Sequence, residues 1–144
     1  MRLLASRPRG AKEIERSLAD RGYSGAAIAG ALARLSEHGY LDDVAAARSA
    51  ARLRGERYGR ARVERELKER GFARDTIAAA LEAEGGRLRE DEALRRAFQR
   101  LWKARANLAP ALRRRRVFDA LTRRGFPADR ISEIIRSWYE IDGS

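Results

Sequence analysis

Four consecutive arginines, Arg113-Arg114-Arg115-Arg116, form the densest charge run in the 144-residue chain. A guanidinium is permanently charged and offers a planar fork of donors that matches carboxylate and phosphate oxygens, so the chemistry on offer is anion recognition. On a helix these four fan around most of the circumference and cannot all face one ligand. Some of them, with Arg123 and Arg124, can build a phosphate- or carboxylate-facing patch, and the scarcity of acids nearby favours that over a merely solvated face. A second group, Arg60, Arg62, Arg65 and Lys68, is interleaved with Glu64, Glu66 and Glu69, so ordinary surface pairing competes with binding. A third, Arg95, Arg96, Arg100 and Lys103, shares its segment with Phe98 and Trp102. Those aromatics are four apart and read as a core stripe more readily than as a platform for stacking bases.

Bond-making chemistry finds less support. Asp42 and Asp43 are adjacent carboxylates, but no histidine or further acid cluster accompanies them, and helix capping accounts for both. His38, the one histidine, precedes Gly39 near a helix end, where an imidazole can meet free carbonyls. With no cysteine, thiolate metal sites, disulfides and cysteine nucleophiles are excluded. Lacking a nucleophile–base pair, a metal set or a phosphate-cradling glycine loop, the chain is expected to be a non-enzyme that uses no cofactor and no metal.

The charge balance points the same way. Lys and Arg total 32 against 21 Asp and Glu, a net +11 that favours polyanions or an acidic protein surface. Only Lys12, Lys68 and Lys103 are lysines; a base-composition bias can explain the choice of Arg but not the net charge. The excess is uneven, at +1 over residues 1–43, +3 over 44–86 and +7 over 87–144. No apolar run approaches the roughly 20 residues of a membrane helix. Met1 to Ser6 lack a signal-peptide core, so a cytoplasmic protein is expected.

The elements that position these residues are helices. Charged residues make up 37% and β-branched residues are few, while Ala and Leu supply much of the apolar content, which disfavours sheet. One ten-residue pattern recurs three times without gaps, at Ile14–Tyr23, Val63–Phe72 and Val117–Phe126. Each has a β-branched residue, Leu four later, then Arg-Gly-aromatic. Ile28, Ile77 or Ile131 follows six after the glycine, and Leu32, Leu81 or Ile135 four after that. The first pair is one stripe of a helix. The arginine suits the carbonyl end, and Gly22, Gly71 or Gly125 can take the left-handed conformation that ends it. The aromatic can fold back on the stripe, with Ser24 capping and Pro127 opening the next helix.

A further helix is predicted before the second hairpin, from about Asp42 to Arg57, and before the third, from about Arg89 to Asn107 behind Glu90-Asp91-Glu92. Only Arg2 to Ser6 precede the first hairpin. Turns are expected at Pro8-Arg9-Gly10, Gly39-Tyr40, Tyr58-Gly59, Gly85-Gly86 (the best hinge candidate) and Ala109-Pro110. The fold class is therefore all-α: three tandem three-helix, helix-turn-helix-like repeats over residues 1–41, 42–86 and 87–144. They would lie in an elongated row that is free to bend.

With these motifs in place the chain resembles the RecX family of bacterial recombinase regulators along nearly its whole length. Gly39-Tyr40-Leu41-Asp42-Asp43 is the most specific stretch. It is supported by Gly59-Arg60-Ala61-Arg62-Val63, Glu66-Leu67, Arg70-Gly71-Phe72 and Leu121-Thr122-Arg123-Arg124-Gly125-Phe126. The family usually follows the two aspartates with one residue and then Arg-Phe-Ala, whereas this chain has Val44-Ala45-Ala46-Ala47. Looser packing at the first junction is expected there.

The resemblance implies three tandem three-helix units. It also implies a protein that binds RecA, within or capping its filament on DNA, and restrains ATPase, strand-exchange and co-protease activity, a role in recombination, repair and the SOS response. The contact candidates are the basic residues above, and structural roles are expected at Gly22, Gly71, Gly125, Tyr40, Asp42 and Asp43. The chief alternative is a direct, largely non-sequence-specific binder of single- or double-stranded DNA, since the hairpin helices lack the Asn and Gln that read adenine. A helical adaptor for some other acidic protein rests on charge alone. A monomer is expected, because a row of repeats buries its cores without a second copy.

Overall fold

The computed structural model describes residues 10–37 and 42–142, with 139–142 described by backbone alone. The Gly39-Tyr40-Leu41 motif, His38, Arg2 to Ser6 and the Pro8-Arg9 turn lie outside the described residues. Those described form eight helices and no strand: α1 (Ala11–Asp20), α2 (Gly25–Glu37), α3 (Asp43–Arg54), α4 (Arg60–Glu69), α5 (Arg74–Ala83), α6 (Gly86–Ala104), α7 (Pro110–Arg123) and α8 (Ala128–Asp142). Two compact units result, residues 1–53 with 65–84 and residues 54–64 with 85–144.

The three hairpins α1–α2, α4–α5 and α7–α8 turn by one device. Gly22, Gly71 and Gly125 have φ of 89°, 93° and 89°. Their N–H groups donate to Ala19, Lys68 and Thr122 carbonyls, and the next residue donates to Leu18, Leu67 or Leu121. This paired pattern satisfies carbonyls that a helix end leaves open. The aromatic then buries in two of the three cases, Phe72 at 7% and Phe126 at 4% exposure, whereas Tyr23 is 56% exposed. Gly10 lies close over the Phe72 ring.

Each unit has an apolar core on the recurring stripe. In the first, Ile14, Leu18, Ile28 and Leu35 cluster with half-buried Ala31 and Leu32. In the second, Val117, Leu121, Phe126 and Ile131 join Ala93, Leu94, Ala97, Phe98 and Trp102 of α6. Phe98 stacks on Trp102 at 5.4 Å and meets the edge of Trp138 at 5.6 Å, so both aromatics of the sequence pair are core. α6 starts at Gly86, earlier than Arg89, because Gly85 at φ 105° and Gly86 at φ 50° make the turn between them.

Acids at the start of one repeat close a helix of the repeat before it. Asp42 caps its own helix through Ala45 N–H at 3.0 Å. Asp43, in the first turn of α3, instead accepts from Ala11 N–H at 2.9 Å, at the start of α1. In the second unit Glu90 of α6 accepts from Arg60 N–H at the start of α4. Ala11 and Arg60 hold the same place in the repeat, three before Ile14 and Val63. Neither α1 nor α7 draws a cap from its own N-cap side chain, Gly10 or Ala109. Replacing Asp43 by Ala should therefore cost about 1 kcal/mol, the worth of an N-cap, although the lost cap belongs to another helix. Chemical denaturation followed by circular dichroism checks this; an unchanged midpoint would show that water replaces the carboxylate.

Candidate partner-binding surface

In the first unit the basic side chains are largely committed. Arg16 donates to the Glu69 carbonyl at 2.8 Å, where α4 ends, and Arg70 pairs with Glu13 of α1. Arg48 and Arg52, one turn apart on α3, both reach Glu84 at the end of α5, at 3.3 and 3.0 Å. Glu84 is 12% exposed, and the Arg52 hydrogen bond holds its carboxyl below the usual carboxylate range, against burial, which pushes the other way. A group whose folded pKa is depressed stabilises above its unfolded value, near 4.3, and loses that contribution as pH falls through the folded one. The margin of the native chain over Glu84→Gln should thus be full at pH 7 and shrink as pH falls below the usual glutamate value, vanishing only below the depressed one, read from thermal midpoints at constant ionic strength. Arg65 and Lys68, both exposed on α4, complete this unit's candidates.

In the second unit Arg62 lies over the Tyr58 ring at 4.0 Å with Arg54 also over it at 4.3 Å, and reaches the Arg123 carbonyl at the end of α7. Arg60 is half-buried, its N–H held by Glu90. Gly59 N–H donates to the Arg124 carbonyl at 2.8 Å, and Gly125 sits so close that a Cβ there would be 2.7 Å from Arg62 N. Arg95, Arg96, Arg100 and Lys103 are exposed on α6, away from its buried Phe98 and Trp102.

The arginine run divides as its helical spacing requires. Arg113 turns onto α6, donating to the Trp102 carbonyl at 3.0 Å and lying 4.0 Å over the Trp102 ring. Arg114 and Arg115 flank a groove between α7 and α8, with Arg136 on the other helix and Ser132 beside it. Its floor is Ala111, Phe118 and Ile135, and its volume is about 580 Å³. Arg116 is exposed. Arg123 is exposed and Arg124 half-buried. Phe118 and Arg136 escape a reading by charge runs: one is apolar and the other is isolated in the sequence. Their signal is their distance from Arg114 and Arg115 on paired helices.

Among the described residues no group of three or more His, Cys, Asp or Glu is placed to hold a metal ion, and no helix is long and apolar enough to cross a membrane. What this surface offers is donors for anions beside apolar floor.

Three family models, described as the first, second and third three-helix domains of RecX, match residues 1–35, 42–81 and 89–135 in order. The chain belongs to the RecX family. A Regulatory protein RecX of Stenotrophomonas maltophilia (strain K279a) is 34% identical over 137 residues, covering 93% of this chain and 81% of that protein. One of Pseudomonas putida (strain KT2440) is 36% identical over 136 residues, covering 94% and 85%. The crystal structure of RecX from Lactobacillus salivarius shares the fold with a TM-score of 0.78 at 19% identity, over 94% of this chain and 89% of that one. Where the RecX pattern has Phe after the paired aspartates, this chain has Ala46, which is 1% exposed. Ala47, Ala50 and Ala51 are buried beside it, so this face of α3 packs through small side chains.

Proposed function

We propose that this RecX-family chain is a non-catalytic regulator that binds a RecA recombinase filament on DNA and restrains its ATPase, strand exchange and co-protease activity. The observation that carries the reading is the ordered match of all three RecX three-helix domains along the chain. The charge distribution supports it. Residues 87–144 carry 15 basic and 8 acidic side chains, and the exposed arginines of α7 lie among them. The working surface is proposed to be Arg95, Arg96, Arg100, Lys103, Arg114, Arg115, Arg116 and Arg123, with Arg65 and Lys68 of the first unit as secondary contacts. The repeats 1–41, 42–86 and 87–144, a monomeric state and a cytoplasmic location, where such filaments form, belong to the same proposal.

The test is the single-strand-DNA-dependent ATPase of the cognate RecA, with this chain added below stoichiometric amounts and bare-DNA binding measured at the same salt. Inhibition well below the level that coats the DNA is the expected result. No effect on the ATPase together with tight binding to DNA that falls steeply with salt would make direct DNA binding the function instead.

A further inference from the structure

We infer that the α7–α8 groove is a docking site for an acidic protein segment that carries an apolar anchor residue; the inference rests on the reading that the chain acts by binding a protein. The groove joins two kinds of surface that rarely coincide by chance. Its floor, Ala111, Phe118 and Ile135, is apolar and continuous with the core, against which Phe118 and Ile135 pack. Its sides are Arg114, Arg115 and Arg136, from two helices. An apolar side chain on the floor places neighbouring carboxylates within reach of planar forks, which hold carboxylates in two parallel hydrogen bonds. At about 580 Å³ the space suits a few side chains.

The chain itself supplies the control. The place of Phe118 is taken by Glu15 in the first repeat and Glu64 in the second; that of Arg136 by Ala33 and Glu82; that of Arg115 by Lys12 and Ala61. Neither earlier repeat has an apolar floor residue at that place or an arginine opposite it. In the first, Glu15 pairs instead with Lys12 at 3.5 Å. The places of Arg114 and Ile135 are already Arg60 and Leu81 in the second repeat, so what is confined to the third is the pairing of the Phe118 floor with Arg136 opposite.

The floor favours protein over nucleic acid. Base stacking needs an exposed aromatic face. Phe118 is half-buried against the core, and the other floor residues, Ala111 and Ile135, are aliphatic. A second copy is a poor occupant by charge, because the chain is +11.

Fluorescence anisotropy with the full chain tests the site. The probe is a labelled helical peptide carrying Glu and Leu at i, i+4 spacing, compared with Gln-for-Glu and Ala-for-Leu versions and with labelled oligothymidylate. The Glu/Leu peptide is expected to bind at least about tenfold tighter than either control peptide. Arg136→Glu, an exposed change to the residue type of the second repeat, should weaken it at least about tenfold with an unchanged melting curve. Arg115→Glu should do the same. The inference is overturned if the native chain binds none of the peptides or does not discriminate among them. It is equally overturned if both variants bind as the native chain does, or if they lose oligothymidylate rather than peptide. The RecA ATPase assay separates the two readings: peptide binding without any effect on the ATPase sinks the proposed function and leaves the groove. Inhibition by the native chain without peptide binding does the reverse.

Discussion

Changing Arg114, Arg115 and Arg116 together to Glu is expected to weaken inhibition of the RecA ATPase about a hundredfold or more, while helicity and the thermal midpoint stay as in the native chain. A hundredfold is about 2.7 kcal/mol; each charge-assisted hydrogen bond to a partner contributes about 1.5–3 kcal/mol and reversal adds repulsion, so two lost contacts reach that factor. The fold should not suffer, because all three side chains are exposed on α7. Arg113→Glu is the informative contrast. Its guanidinium closes the end of α6 at the Trp102 carbonyl and covers the Trp102 ring. The replacement should lower stability by about 1–3 kcal/mol and quench or shift tryptophan fluorescence. If the triple variant inhibits as well as the native chain, this face of α7 makes no contact with the filament.

Gly125→Val should be the most damaging single change to the fold, at about 3 kcal/mol or more. A β-branched residue at φ 89° is strained by its own backbone, and here the new Cβ would also lie 2.7 Å from the Arg62 amide nitrogen and 2.5 Å from its Cβ. Backbone cannot swing aside as a side-chain tip can. The Gly59 N–H bond to Arg124 would be lost with it. Gly22→Val separates the two causes. Gly22 has the same φ of 89° but nothing within 4 Å of a Cβ, so its cost should be backbone strain alone, about 1–2 kcal/mol. Both tryptophans, Trp102 and Trp138, belong to the second unit, so their fluorescence in urea reports on Gly125→Val, and circular dichroism follows Gly22→Val. Equal losses would mean that the close approach to Arg62 relaxes freely.

Much of the hairpin architecture was legible because it is local. A β-branched residue and Leu four apart, followed by Arg-Gly-aromatic, is enough to place a helix, its end and the return helix. Ile14, Val63 and Val117 are indeed among the most buried side chains, at 0–1% exposure. What escaped was decided by residues far apart in sequence. That Asp42 and Asp43 cap helices could be read from their types, but that Asp43 serves α1, 32 residues back, could not. Four arginines in a row could be predicted to diverge, but not that Arg113 would find Trp102 or that Arg136 would join Arg114 and Arg115. Tyr23 shows the same limit. Its local motif matches Phe72 and Phe126, yet it is exposed where they are buried.

The caps donated backwards along the chain have a consequence for how it is made. Ala11 finds its carboxylate 32 residues later, at Asp43, and Arg60 finds its own 30 residues later, at Glu90. On a translating ribosome, α1 and α4 therefore emerge before the groups that close them, by roughly two to six seconds at ordinary rates of elongation. Maturation should trail synthesis by one repeat. A chain cut just before Glu90 would hold a first hairpin sealed by Asp43 and a second still frayed at its leading edge.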